Sequence, residues 1–304
     1  STLEPMSLLN LTNDGLPNIL VVLYATVAKA RAPMSRDDLI EAVAPAGVVP
    51  DPRLARSTLN RWTELGLFRV SEGGEQVTLA EAPPHDLKSD ADFVRATRIV
   101  ARRVALSQDN NVDLWAREGA RAADLTRSLA WLLAQDIYRL QFREVNGLEL
   151  TQVADSELRL MQNATRINGL QYWGHFLGFI RQPGGGDVDP TLAIREVLSE
   201  CITLGEELPA MEFIERLSTA IPVLDGGGYS VAVLSRLERT ALPPMQPGQL
   251  SRALSRAMFG FLFDQTLQFE DRSDVGSAII LTGRDGPRPD HRYTWVRRPR
   301  RTAR

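Results

Sequence analysis

Apolar residues recur along most of this chain with the 3.6-residue period of helices. The first such segment, LPNILVVLYATVAKA, has apolar residues at positions 16, 19, 20, 23 and 27, the spacing of one helix face. Two further amphipathic segments follow, RDDLIEAVAPA and RLARSTLNRWTELGLF. The next stretch, LFRVSEGGEQVTLA, alternates instead and turns at Gly73–Gly74, which indicates a hairpin. The pattern therefore predicts three helices and then two strands.

Residues at the predicted helix ends agree with this interpretation. Pro17 suits a first helical turn, Ser35 an N-terminal cap and Gly66 a C-terminal cap. Three helices followed by a hairpin are typical of a winged helix-turn-helix domain. We therefore predict such a domain at residues 16–83, after an unstructured leader at residues 1–15.

The rest of the chain is also predicted to be mainly α. Residues 84–182 form a helical domain in this interpretation, and the glycine-rich stretch at 183–190 is a linker. Residues 191–283 are α-rich and end in a hairpin pattern, so a second winged-helix-like unit is possible there. Residues 284–304 are set apart as an Arg-rich tail, although RYTWV within it alternates like a strand, which leaves docking on the C-terminal unit as an alternative. The aromatic residues of the helical domain fall on its apolar stripes, which a helical core explains: Trp115, Trp131, Tyr138, Tyr172, Trp173 and Phe176.

Composition indicates a soluble globular protein. The 304 residues are 43% hydrophobic and 24% charged, and no apolar run approaches the roughly 20 residues of a membrane span. No signal peptide is recognisable, and the single cysteine, Cys201, excludes an internal disulfide. We therefore expect a cytoplasmic protein without a membrane partner.

The net charge of −3 conceals an uneven distribution. The predicted tail has eight arginines and two aspartates, whereas residues 191–283 have seven arginines and twelve acidic residues. Only two lysines occur, so nearly every cation is a guanidinium, the group best suited to paired phosphate or carboxylate oxygens. A GC-rich genome would produce the same bias.

The third predicted helix has the polar face expected of a DNA-reading helix. Leu59, Trp62 and Leu65 form its buried stripe in this interpretation. The candidate DNA-binding residues of the opposite face are Arg53, Arg56, Ser57, Asn60 and Arg61. The wing of the domain adds Gly73 and Gly74, and the tail adds Arg297, Arg298, Arg300 and Arg301.

Other features favour contacts with protein instead. Glu72 and Glu75 place negative charge at the wing tip, where it repels phosphate, and Glu64 follows the arginines of the third helix. A second candidate helix at 249–265 is expected to expose Ser251, Arg252, Ser255 and Arg256. An acidic turn follows that helix, so packing or dimerisation is the better interpretation there.

No motif indicates catalysis. His85, His175 and His291 lack ligand spacing, so no metal site is predicted. Cys201 lies on an apolar stripe, where a thiol acts as a small hydrophobic group. Serine-hydrolase and phosphate-loop motifs do not occur. We therefore expect a protein that is not an enzyme and has no catalytic residue or cofactor.

The segments LLNLTNDGLPNILVVLYATVA and RSTLNRWTELGLF, within residues 8–80, resemble the DpdG-like family. That family belongs to bacterial phage-defence islands that place 7-deazapurine bases in DNA. The resemblance implies one subunit of a multi-protein system that discriminates or restricts DNA. It assigns no catalytic residue.

Three hypotheses about function follow. The first is a non-catalytic DNA-binding winged-helix subunit that works on double-stranded DNA together with other protein subunits. The second is an adaptor that resembles the kite subunits of bacterial chromosome-condensing complexes, forms a homodimer and grips a protein partner. The third is a transcription regulator whose helical domain senses a ligand.

Overall fold

The computed structural model describes residues 8–9, 16–116, 121–182, 187–273 and 276–300. Contacts between residues divide the chain into two units. Unit 1 comprises Ser1–Thr126 and Asn163–Leu177, and unit 2 comprises Arg127–Gln162 and Gly178–Arg304. The boundary falls inside the range 84–182, which the sequence treated as one helical domain.

Unit 1 begins with the predicted helices and hairpin. Its first elements are α1 (Pro17–Lys29), β1 (Met34–Ser35), α2 (Arg36–Val43), α3 (Arg53–Glu64), β2 (Phe68–Val70) and β3 (Gln76–Leu79). The three strands form an antiparallel sheet in the order β1-β3-β2. The side chain of Ser35 caps α2 by accepting a hydrogen bond from the Asp38 amide at 3.0 Å. Gly66 ends the α3 segment with a φ of +92°, a conformation that favours glycine.

The remaining helices of unit 1 are α4 (Asp90–Ala105), the first part of α5 (Ala123–Leu133) and α7 (Ala164–Phe176). Ser89 and Asp92 cap α4 reciprocally. The core of the unit includes Leu20, Leu23, Leu39, Leu59, Trp62, Phe68, Val77 and Trp173, each at most 1% exposed.

Part of the predicted leader is packed into unit 1. Leu8 and Leu9 are fully buried, and their amides donate hydrogen bonds to the carboxylate of Asp124 at 3.2 and 2.9 Å. A Cβ atom at Gly169 would lie 2.1 Å from the carbonyl oxygen of Leu9, so only glycine permits this approach. The expectation of an unstructured leader is therefore wrong at Leu8 and Leu9, and its other residues, 1–7 and 10–15, lie outside the described residues.

Unit 2 contains the rest of α5, short 3-10 turns, α6 (Val145–Gln152) and a second group of helices and strands. That group is α8 (Thr191–Cys201), β4 (Glu207–Pro209), α9 (Ala210–Ala220), α10 (Gly228–Leu234), α11 (Arg252–Phe263), β5 (Gln268–Glu270), β6 (Ile279–Gly283), β7 (Gly286–Tyr293) and β8 (Trp295–Arg297). Strands β4, β8 and β5 form an antiparallel sheet in the order β4-β8-β5, and β6 pairs with β7.

Two stretches that the sequence set apart belong to this unit. Strands β7 and β8 lie within 284–304, so the Arg-rich tail is not a separate extension over its described part, 284–300. Val296, on the central strand β8, is 1% exposed, because alternate residues of β8 face the core despite the arginines around them. In the predicted linker 183–190, Val188 forms a β-bridge with Ile180.

Unit 2 repeats the element order of unit 1. The elements α8, β4, α9, α11, β5 and β8 follow the order α1, β1, α2, α3, β2 and β3, with α10 and the β6–β7 hairpin inserted. The C-terminal strand lies at the centre of the three-stranded sheet in both units. The described chain is thus mainly helical with small antiparallel sheets. None of its described helices combines the length and apolarity needed to cross a bilayer.

Candidate nucleic-acid interface

Helix α3 has one buried face and one exposed polar face. Thr58, Leu59 and Trp62 are at most 1% exposed. Arg53, Arg56 and Asn60 lie on the exposed side, as the sequence predicted. The helix therefore presents two guanidinium groups and one amide to solvent within two turns.

Arg53 is held by the acidic residue before the helix. Its side chain is 86% exposed, and Nε lies 2.6 Å from Oδ2 of Asp51. The Arg53 amide also donates to Oδ1 of Asp51 at 2.9 Å. Both hydrogen bonds lower the pKa of Asp51, and the one from the backbone amide has the larger effect. Arg53 can reach a phosphate only by exchanging this exposed partner, which costs little.

Arg36 extends the exposed basic face. It is the first residue of α2, and its guanidinium donates a hydrogen bond to Oδ1 of Asn60. Its amide donates to the carbonyl oxygen of Glu75 at 2.8 Å, beside the hairpin turn. The sequence did not single out Arg36, because only tertiary packing places the start of α2 next to α3. We call Arg36, Arg53, Arg56 and Asn60 the α3 cluster.

Two predicted members of this face are engaged elsewhere. The Ser57 hydroxyl donates to the carbonyl oxygen of Arg53 at 2.9 Å, so the helix backbone occupies its donor. The prediction that Arg61 is exposed is wrong, because its side chain is 8% exposed and lies 3.6 Å from Glu64. Arg61 is eight positions after Arg53, and eight positions rotate an α-helix by about 80° beyond two full turns. Arg61 therefore does not lie above Arg53 but is displaced toward the buried side of α3.

The β2–β3 turn contains the residues that the sequence assigned to a wing tip. Residues 71–76 are all exposed, including Gly73 and Gly74. Gly74 has a φ of +73°, and its amide donates to the carbonyl oxygen of Ser71 at 2.7 Å. Gly74 therefore supplies the left-handed conformation that this turn uses. Glu72 and Glu75 are exposed beside them, so this turn presents negative charge.

The C-terminal arginines differ in their surroundings. Arg297 is exposed on β8, opposite Glu207 and Gln268 in the sheet. Arg298 donates from Nη1 to the carbonyl oxygen of Ile202 at 2.9 Å, next to the end of α8. Arg300 is exposed and passes close to Gly205, while Arg301 lies outside the described residues. Arg298 therefore stabilises the end of a helix in unit 2.

Helix α11 has the place in the element order of unit 2 that α3 has in unit 1, but several of its outer side chains contact other parts of unit 2. Arg252 lies 3.5 Å from Asp136, and Arg256 lies 3.5 Å from Asp189. Phe259 meets His291 of β7 edge-on, with ring centroids 4.9 Å apart. These contacts occupy the side chains that would otherwise face a ligand.

The expectation that Ser255 of α11 is exposed is wrong. It is fully buried, and its hydroxyl accepts a hydrogen bond from the Thr282 amide at 2.8 Å. The sequence could not show this, because the strand that covers Ser255 lies far along the chain.

The single cysteine belongs to unit 2, whereas the α3 cluster belongs to unit 1. Cys201 is buried in unit 2, and burial raises the pKa of its thiol to about 11. Within the described ranges, no three His, Cys, Asp or Glu side chains are placed to hold a metal ion.

The fold and the α3 cluster define a mainly helical protein with a basic helix face. A family model described as DpdG-like matches residues 6–275, which is most of the chain. The chain belongs to the DpdG-like family, and the resemblance seen in residues 8–80 is confirmed over a longer range. No curated protein and no solved structure matches it.

Proposed function

We propose that this protein is a non-catalytic, DNA-binding subunit of a cytoplasmic bacterial anti-phage system, and that residues 16–83 are its winged helix-turn-helix domain. The observation that carries the proposal is the α3 cluster, in which Arg53, Arg56 and Asn60 share an exposed face with Arg36. Membership of the DpdG-like family supports the link to defence islands.

The element order of unit 1 supports the winged-helix assignment. A helix, a short strand, two helices and a hairpin occur in sequence, and the first strand pairs with the last. In such domains the helix before the hairpin enters the major groove. In this chain that helix is α3, and arginine and asparagine are the side chains that pair with guanine and adenine edges.

The charges around α3 predict weak, salt-sensitive binding. Three guanidinium groups give a slope of log K against log salt of about −3, since each phosphate contact contributes about −0.9. Glu72 and Glu75 at the turn oppose a wing contact with phosphate. The proposal therefore places the DNA contact on α3 and not on the turn.

A salt series of fluorescence-anisotropy titrations on a generic duplex tests the proposal. Arg53→Glu/Arg56→Glu should abolish binding or remove most of the salt slope. Arg139→Glu/Arg143→Glu in unit 2 is the matched control, since its side chains are 84% and 77% exposed, against 86% for Arg53. Equal loss in both double variants would indicate a general charge effect. Wild-type affinity in the α3 variant would contradict the proposal.

A second candidate function is an adaptor like the tandem winged-helix kite subunits, with a homodimer and a protein partner. The observation that favours it is the repeat of the unit 1 element order and sheet order in unit 2. Sedimentation at micromolar concentration tests it. A dimer in the absence of DNA would support this candidate, and a strict monomer would count against it.

A further inference from the structure

A cavity of about 260 Å³ lies within unit 2. Its walls come from the end of α5, helix α10, the loop at 242–245 and the start of α11. The apolar part of the wall includes Leu133, Val223, Leu234, Leu242, Pro243 and Leu250. Val231 and Met245 also line the cavity and are 57% and 52% exposed, which places them where it meets solvent. The apolar wall is suited to the hydrocarbon part of a small organic ligand.

One carboxylate lines this apolar space. Both oxygens of Asp225 accept hydrogen bonds from Ser251, one from its amide and one from its hydroxyl, each at 2.6 Å. A carboxylate offers about four acceptor positions, so capacity for further donors remains. Asp225 is surrounded by protein atoms but keeps partial exposure beside the cavity, and this desolvation raises its pKa.

Two other polar residues of the wall, Arg252 and Gln249, contact neighbouring residues. Arg252, the other ionisable residue among the described lining residues, lies 3.5 Å from Asp136. The side-chain oxygen of Gln249 accepts a hydrogen bond from the backbone amide of Gln246 at 3.0 Å. Its side-chain nitrogen donates to the Thr282 hydroxyl at 3.2 Å. Arg252 is thus paired with Asp136, and Asp225 is the one carboxylate among the described lining residues.

We infer that this cavity binds a small organic cation, with an apolar ring or chain against the aliphatic wall and an ammonium or amidinium group beside Asp225. The volume suits a ligand of about one ring, since it falls below the range of about 300–1,000 Å³ for larger ligands. The site is separate from the proposed DNA contact. It also differs from the ligand-sensing hypothesis based on the helical domain, because none of the six aromatic residues named for that domain lines the cavity.

Isothermal titration calorimetry, in which the full chain is titrated with benzylamine or with benzyl alcohol, tests the inference. The two probes share a ring and differ in charge. Benzylamine should bind at least about tenfold more tightly, since a hydrogen bond to a charged group exceeds a neutral one by that order. Asp225→Asn should bring the benzylamine affinity down to that of the alcohol.

A blocking variant separates loss of the site from loss of the fold. Val231→Trp fills the mouth of the cavity and should weaken both probes. Leu204→Trp is its control, because Leu204 is also 57% exposed, belongs to the same unit and does not line the cavity. Equal affinity for the two probes, unchanged binding in Val231→Trp or no binding of benzylamine by the wild type would overturn the inference.

Discussion

Trp62 on α3 packs against Trp173 on α7, with ring centroids 5.3 Å apart and ring planes at 40°. Both side chains are fully buried in unit 1. Trp173 also meets Phe176 edge-on, with centroids 6.1 Å apart. The side of α3 opposite the α3 cluster is therefore fixed by aromatic packing onto a helix more than a hundred residues later in the chain.

The tryptophan pair should make a large contribution to the stability of unit 1. We expect Trp173→Ala to lower the free energy of unfolding by about 3–5 kcal/mol, because it leaves a cavity and removes the ring contact. Trp173→Phe should cost less. Urea denaturation measures both variants, with Tyr172→Ala as the control, since Tyr172 is 49% exposed. A similar loss in the Tyr172 and Trp173 alanine variants would contradict the packing role.

The α3 segment shows what the sequence could and could not predict. Helical periodicity was enough to place Leu59, Trp62 and Leu65 on the buried side, since that pattern is local. It did not predict that Arg61 is buried or that Arg36 lies beside Asn60. Both facts depend on which other elements pack against α3, and a single sequence does not reveal those pairings.

Strand β8 was only an alternative in the interpretation of the Arg-rich tail. The segment RYTWV alternates like a strand, but the arginines around it indicated a solvated tail. A three-residue strand carries little pattern of its own, and its place at the centre of a sheet is set by β4 and β5, which are distant in sequence.

Replacing Arg61 should change the stability of the protein, whereas replacing Arg56 should change its DNA binding. Arg61→Ala removes a buried guanidinium, and we expect it to lower the free energy of unfolding by about 1–3 kcal/mol. Arg56→Ala is an exposed change on the same helix and should stay within about 0.5 kcal/mol. In the salt series, only Arg56→Ala should reduce the slope. The reverse pattern would mean that Arg61, and not Arg56, contacts DNA.

The central strand β8 should be essential for the fold of unit 2. Val296→Asp places an unpaired charge at a position that is 1% exposed, and we expect a loss of more than about 3 kcal/mol. The neighbouring exposed change Arg297→Thr should cost little, since threonine suits a strand. Thermal unfolding followed by circular dichroism compares the two. Equal melting temperatures for Val296→Asp and the wild type would show that residues 295–297 do not pack as described.

Cys201 should resist thiol reagents while unit 2 is folded. With a pKa of about 11, about one thiol in a thousand is ionised at pH 8, and the side chain is 2% exposed. Because the chain has one cysteine, the release of thionitrobenzoate from Ellman's reagent reports this site alone. We expect negligible release from the native protein and one equivalent after unfolding in guanidinium. Rapid native labelling would contradict the burial of this thiol.

The desolvated carboxyl of Asp225 should make one contribution to stability that falls as pH rises. Desolvation raises its pKa in the folded protein above the value of 3.8 for an exposed aspartate, so the folded state retains the proton after the unfolded chain has lost it. Between those two pKa values the unfolded chain binds fewer protons, and each increase in pH disfavours folding at this site.

Asp225→Asn removes the titrating group but keeps an oxygen that can accept from Ser251. The free energy of unfolding of the wild type relative to Asp225→Asn should therefore be highest at acid pH and decline as pH rises through this window. Urea denaturation of both proteins at several pH values measures the difference, in which the opposite effects of the salt-bridged carboxylates cancel. A difference that increases with pH would mean that Ser251 lowers the pKa of Asp225 more than burial raises it.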